Sequence, residues 1–279
     1  MRWKGRRESS NVEDRRGISP KGIAGGGIGT IVVILVIYLL GGDPTFLLQN
    51  VQNGETSNSN YVESEQDKEL AQFVSVVLAE TENTWHNIFQ EKGANYTEPK
   101  LVLFSGSVES ACGTAGTSSG PFYCPGDEKL YIDLNFYNEL QKQFKAPGDF
   151  AMAYVIAHEV GHHIQKLTGT MEKVQEMRSQ LSEEQYNEYS VRLELQADFY
   201  AGVWAYYSKQ QDLLESGDVE EALNAASAVG DDTIQKRMQG YVVPESFTHG
   251  TAEQRKRWFY KGFTTGDMMQ GDTFSTENL

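Results

Sequence analysis

Residues Asp149–Leu167, DFAMAYVIAHEVGHHIQKL, decide the reading of this chain. The run is largely apolar and free of proline, with Gly148 or Asp149 at its start and Gly169 just past its end. These are helix boundary signals, so the spacing predicts a single helix. Inside it stands His158-Glu159-Val160-Gly161-His162. Two histidines four apart in a helix lie about 40° from each other around the axis, one turn apart. Both imidazoles can therefore reach one zinc ion. Glu159 sits beside them, where a carboxylate can take a proton from a zinc-activated water. The pattern is that of a zinc hydrolase, most often a peptidase.

Two histidines do not complete a catalytic zinc site, which needs three protein ligands and one open position. No further histidine follows at metzincin spacing. Glu194, on the next long helical run, is the candidate third ligand, giving a His₂Glu set. Glu183, Glu184 and Glu188 compete with it and are nearer in sequence. Asp198 lies one turn beyond Glu194 and can accept the second N–H of a ligand histidine, fixing its tautomer. His163 points roughly 100° away from His162 and reads as a packing residue or a support rather than a ligand. His249, in Ser246-Phe247-Thr248-His249-Gly250, either donates to a developing oxyanion or is a surface histidine before a helix. His86 is given no role.

The net charge of −15 is unevenly placed. Residues 1–22 hold seven Lys/Arg against three acids, net +4, which leaves −19 on the remainder. So acidic a body argues against nucleic acid as a partner. Residues 23–40 (IAGGGIGTIVVILVIYLL) carry no charge over a length just sufficient to span a bilayer. The basic flank precedes this run, which predicts a single-pass anchor with a cytoplasmic N-terminus and an extracytoplasmic domain. A cleaved signal peptide is the rival, but the apolar run is long and no small-residue cleavage site follows. The expected organisation is a basic cytoplasmic leader (1–22), a transmembrane anchor (23–40), a linker (41–65), a domain (66–267) and a disordered tail (268–279).

Outside the cytoplasm, Cys112 and Cys124 are expected to form a disulfide. A metal-ligand pair or two free thiols are the alternatives. Residues 66–92 carry apolar residues at helical spacing, while 100–108 and 129–134 read as strands. Ser182-Glu183-Glu184-Gln185 and Thr251-Ala252-Glu253-Gln254 are capping boxes that open helices, and Asp218 is expected to cap another. The fold class is α+β, mostly helical with a small β-sheet.

The chain resembles the neutral zinc metallopeptidase family of membrane-anchored bacterial proteins. The resemblance is carried by the Gly-rich apolar run, Cys112-Gly113-Thr114-Ala115, Gly120-Pro121-Phe122-Tyr123-Cys124-Pro125, and Tyr131-Ile132-Asp133-Leu134. It continues through His158-Glu159-Val160-Gly161-His162-His163-Ile164-Gln165, Glu194-Leu195-Gln196-Ala197-Asp198 and Ser246-Phe247-Thr248-His249-Gly250. It implies a zincin-like fold and strengthens Glu194 as third ligand. One departure is Phe199, where the family leads us to expect cysteine. The expectation is a membrane-anchored metalloendopeptidase holding one Zn²⁺ at His158, His162 and Glu194. Glu159 is its general base and His249 a catalytic candidate. The strand at 129–134 is expected to offer its edge to a peptide substrate. A zinc-stabilised binding module without peptidase activity is the alternative.

Overall fold

In the computed structural model, which describes residues 1–17 and 63–279, a four-stranded sheet lies against a helical layer. The strands of this sheet are β1 (Val12–Asp14), β2 (Lys100–Phe104), β5 (Phe122–Cys124) and β6 (Lys129–Asp133). Their order is β1-β2-β6-β5, with only β5 antiparallel to its neighbour. Successive side chains of a strand leave opposite faces. Leu101, Leu103, Leu130 and Ile132 accordingly enter the main core beneath the helices. Val102, Phe104 and Tyr131 enter a smaller core on the other face, with Val108 and Cys124. That second core includes Val108 and Ala115 from the hairpin of β3 (Ser107–Ser110) and β4 (Gly113–Gly116). The Cys112–Cys124 disulfide is formed and ties the hairpin to β5.

The helices are α1 (Glu65–Glu91), α2 (Asn135–Lys142), α3 (Asp149–Leu167), α4 (Thr170–Met177) and α5 (Glu183–Gln210). Three more follow: α6 (Asp218–Ala228), α7 (Asp231–Gln239) and α8 (Ala252–Thr265). Helix α3 is buried from Phe150 to Gln165 and packs on α1, α5 and α6. Its approach to α5 depends on Gly161, where a Cβ would stand 2.8 Å from the Ala197 carbonyl oxygen. Helices α5 and α8 close in the same way at Gly202 and Gly262, whose added Cβ atoms would lie 2.0 Å and 2.1 Å from opposing carbonyl oxygens. Three helices are thus drawn into backbone contact around the motif. The capping boxes at Ser182 and Thr251 are both made. Helix α6 instead starts without a side-chain cap, and Asp218 accepts from the Glu215 backbone N–H.

Four further expectations need correction. Residues 1–17 are not a separate leader: Met1 and Trp3 are buried, and Val12–Asp14 pairs in parallel with Leu101–Leu103. Their partners are remote in sequence, so composition alone reads the segment as a basic flank. The tail is not frayed. Gln196 Nε2 donates to the Gly271 carbonyl at 2.8 Å, and the Thr273 hydroxyl donates to the Arg192 carbonyl at 2.6 Å. These tertiary bonds fix a polar stretch that has no local reason to order. Strand β6 has no free edge, because β2 and β5 flank it, and the outer strand on that side is β5. The strand expected over 100–108 is interrupted at Ser105-Gly106, where Gly106 takes a positive φ of 80° and the chain turns into β3. The apolar run at 23–40 lies outside the described residues, and among those described no helix is long and apolar enough to cross a membrane.

Candidate metal centre

Helix α3 presents His158 and His162 on one face, and α5 brings Glu194 opposite them. His158 Nε2 stands 3.1 Å from Glu194 Oε2, and His162 Nε2 stands 3.4 Å from Glu194 Oε1. One donor atom from each of the three residues lies within 4.8 Å of the others. Four-coordinate zinc with bonds of about 2.0–2.1 Å sets its ligands roughly 3.3–3.4 Å apart. The three donors lie close enough to meet on one such ion, and two imidazole nitrogens with a carboxylate suit it chemically. Glu183, Glu184 and Glu188 are exposed and outside this group.

The other ring nitrogen of each histidine is held from behind. His158 Nδ1 lies 2.8 Å from Asp198 Oδ1, and His162 Nδ1 lies 2.9 Å from Gln165 Oε1. Both acceptors call for an N–H at Nδ1, which leaves Nε2 as the nitrogen able to turn its lone pair to a metal. Asp198 is fully buried and paired with Arg255, whose Nε and Nη2 donate to its two oxygens at 2.8 and 3.0 Å. The Tyr154 hydroxyl donates to the same carboxylate. Burial alone would raise the Asp198 pKa, but Arg255 and His158 hold it down at about 2. Gln165 Nε2 donates to the Leu193 carbonyl at 2.6 Å and to Gln196 Oε1 at 3.2 Å.

Glu159 faces the same space, with Tyr123 of β5 among the residues that line it. Burial is the main cause that raises the Glu159 pKa, the usual preparation of a carboxylate for proton transfer near neutrality. Burial also works against ionisation of Glu194, but the two histidine partners and His249 hold its pKa well below the ordinary value. His163 is buried away from the centre, between the Tyr123 hydroxyl at Nδ1 (3.0 Å) and the Thr97 carbonyl at Nε2 (2.7 Å). Burial lowers its pKa, and the neutral ring ties α3 to β5.

These groups floor a cleft of about 450 Å³. One wall is residues 119–123, leading into and along β5. Val229, Ile234 and His249 also line the cleft. His249 is half exposed at the cleft, with its backbone N–H and Nδ1 on Asp231 at 2.6 and 3.2 Å. Asp231 also accepts from the Thr248 and Gly250 backbone N–H groups, which fixes the loop that carries His249. Burial would lower the His249 pKa, yet Glu194 and Asp231 raise it. His86 pairs with Glu98 on the surface and is absent from the cleft lining.

Sequence reasoning missed Gln165, Arg255, Tyr154 and Asp231. Gln165 carried a usable signal, since it lies three residues after His162 and so on the same helix face. Arg255 and Asp231 meet their partners only through the tertiary fold.

The family model described as “Putative neutral zinc metallopeptidase” matches residues 1–274. The chain belongs to this family. The uncharacterised protein YpfJ of Escherichia coli K12 is 47% identical over 284 aligned positions, covering 98% of this chain and 99% of that protein. The uncharacterised protein Rv2575 of Mycobacterium tuberculosis H37Rv is 43% identical over 218 positions, 74% of this chain and 73% of its own length. No solved structure matches the chain at a significant level. Membership in the zinc metallopeptidase family implies zinc and a protein or peptide substrate. Of the two acid or histidine clusters among the described residues, His158, His162 and Glu194 offer the mixed nitrogen and oxygen donors suited to that ion, whereas Asp149, Asp218 and Glu221 offer oxygen alone.

Proposed function

We propose that this chain is a zinc metalloendopeptidase of the gluzincin type, with a zincin-like fold and one Zn²⁺ held by His158, His162 and Glu194. The observation that carries the reading is the convergence of both Nε2 atoms and the Glu194 carboxylate at the floor of an open cleft, with Glu159 beside them. A purely structural zinc site has no use for an adjacent buried carboxylate.

Zinc bound there supplies a Lewis acid that acidifies water and polarises the scissile carbonyl. Glu159 takes the proton of the attacking water and delivers it to the leaving amine as the C–N bond breaks. His249, carried on the loop that Asp231 fixes, donates to the carbonyl oxygen as negative charge develops. Asp198, with Arg255 and Tyr154 behind it, keeps His158 in its ligating orientation. The outer edge of β5 pairs with an extended substrate backbone by strand addition.

The Cys112–Cys124 disulfide supports an oxidising compartment for the domain. The uncharged run at 23–40 supports attachment to a membrane. Glu159→Gln is the test of the mechanism. It should retain zinc by metal analysis while losing about 10²–10⁴-fold in peptide hydrolysis. Full turnover in that variant would remove Glu159 from the mechanism.

A further inference from the structure

The N-terminal segment is built into the domain on three sides. Val12–Asp14 extends the sheet along the edge of β2, with Val12 opposite Leu101 and Asp14 opposite Leu103. Backbone bonds continue beyond the strand: Leu101 N–H to the Asn11 carbonyl at 2.9 Å and Arg15 N–H to the Leu103 carbonyl at 2.8 Å. Trp3 enters the main core and meets Phe73 of α1 edge to face, with ring centroids 5.5 Å apart. Arg2 N–H donates to the Leu213 carbonyl at 2.7 Å, beyond the end of α5.

Charge complements this packing. Helix α1 carries Glu80 and Glu82, both almost fully buried. Arg6 reaches Glu80 at 3.2 Å and Arg7 reaches Glu82 at 2.8 Å. The Ser9 hydroxyl and the Asn11 amide also donate to Glu82. Buried carboxylates require such partners. Without the segment, α1 would present two unpaired acids, and β2, whose Leu101 and Leu103 are core residues, would become an open edge.

A single membrane crossing at 23–40 sets the residues before and after it on opposite faces of the bilayer. Hydrogen bonds between 11–15 and 101–103 require both segments on one face. The two arrangements exclude each other. We propose that residues 1–17 occupy the same compartment as the metal centre, docked on it as the outermost strand of its sheet. The basic stretch is then a structural part of the domain rather than a cytoplasmic leader. Its Arg6 and Arg7 are held to the domain by the buried acids they meet, Glu80 and Glu82.

The test uses the full chain expressed in Escherichia coli, with cysteine placed at Lys4 or at Met238. Both side chains are strongly exposed, Lys4 on the docked segment and Met238 at the end of α7. The unsubstituted chain sets the labelling background. Spheroplasts are treated with a membrane-impermeant maleimide before and after lysis. The expected result is equal labelling of Lys4→Cys and Met238→Cys under both conditions. Labelling of one in intact spheroplasts and of the other only after lysis overturns the proposal. In the Lys4→Cys/Glu69→Cys double variant, a short bis-maleimide should link the two positions within one chain, because their present side chains touch. Absence of that link overturns the docking itself. Neither readout depends on zinc or on peptide cleavage, so failure of the peptidase reading leaves both arms informative.

Discussion

His158 and His162, the proposed zinc ligands, stand one helical turn apart, yet the walls behind them are built from different chemistry. Behind His158 lies a charged wall: Asp198, Arg255 and Tyr154, all buried, joining α3, α5 and α8. Behind His162 lies a neutral one: Gln165 and Gln196, ending on the backbone carbonyls of Leu193 and Gly271. Both walls fix a tautomer. Only the charged wall also raises the basicity of its imidazole, since a carboxylate beside the ring favours the positive form. The difference also sets what each wall costs to break. A buried ion pair adds little net stability while intact but leaves an uncompensated charge when one partner goes. An amide network loses one hydrogen bond at a time.

Asp198→Ala should therefore have the larger effect. It strands Arg255 in the core and should lower stability by about 3–5 kcal/mol. Zinc affinity should fall by roughly 10–100-fold as His158 loses its orienting partner. Denaturant unfolding of the metal-free protein and chelator competition measure the two effects separately. A loss confined to metal affinity would mean that Arg255 finds another partner. Gln165→Leu should cost less, about 1–3 kcal/mol, because the groups left unpaired are neutral. Its zinc affinity should also drop, and Gln165→Glu should restore most of it by keeping the acceptor at His162 Nδ1. Equal stability losses for Asp198→Ala and Gln165→Leu would erase the distinction between the walls.

The smallest effect is in pH. In the metal-free protein, burial alone would depress the His158 pKa, but the charge of Asp198 pushes it up to about 10. A raised folded-state pKa gives stability that is fully present below the unfolded value of about 6.5 and is lost as pH rises toward the folded value. Zinc competes with that same proton, so its affinity should climb across this window. The gap in Tm between zinc-loaded and chelator-stripped protein should widen as pH is raised from about 6.5. A gap that stays flat would show that Asp198 does not hold a proton on His158.

The legible parts of this molecule are those whose signals are local. The motif helix, the boxes at Ser182 and Thr251, and the pairing of His158 with His162 are each written within a few turns of chain. Glu194 was within reach only as one acid among several on a Glu-rich helix. The contact that brings it to the histidines runs through Gly161 and Ala197, two small residues whose closeness belongs to the fold. Strand β1 was illegible because three residues, Val12-Glu13-Asp14, show no alternation and their partners lie near position 102. The tail misled for a similar reason, since its order comes from Arg192 and Gln196 on α5. Strand β5 is hidden in a Gly/Ser-rich loop, and without it β6 reads as an edge.

The bare α-carbon at Gly161 also acts as a ruler for ion size. With α3 and α5 in backbone contact, Glu194 is held 3.1 and 3.4 Å from the two histidines. That spacing suits a small ion at short bonds and crowds a calcium-like ion, which wants about six to eight oxygen ligands at roughly 2.3–2.6 Å. Selectivity for the ion then resides partly in a residue that never touches it. A methyl group at 161 would press on the Ala197 carbonyl, part the two helices and loosen the hold of all three donors at once.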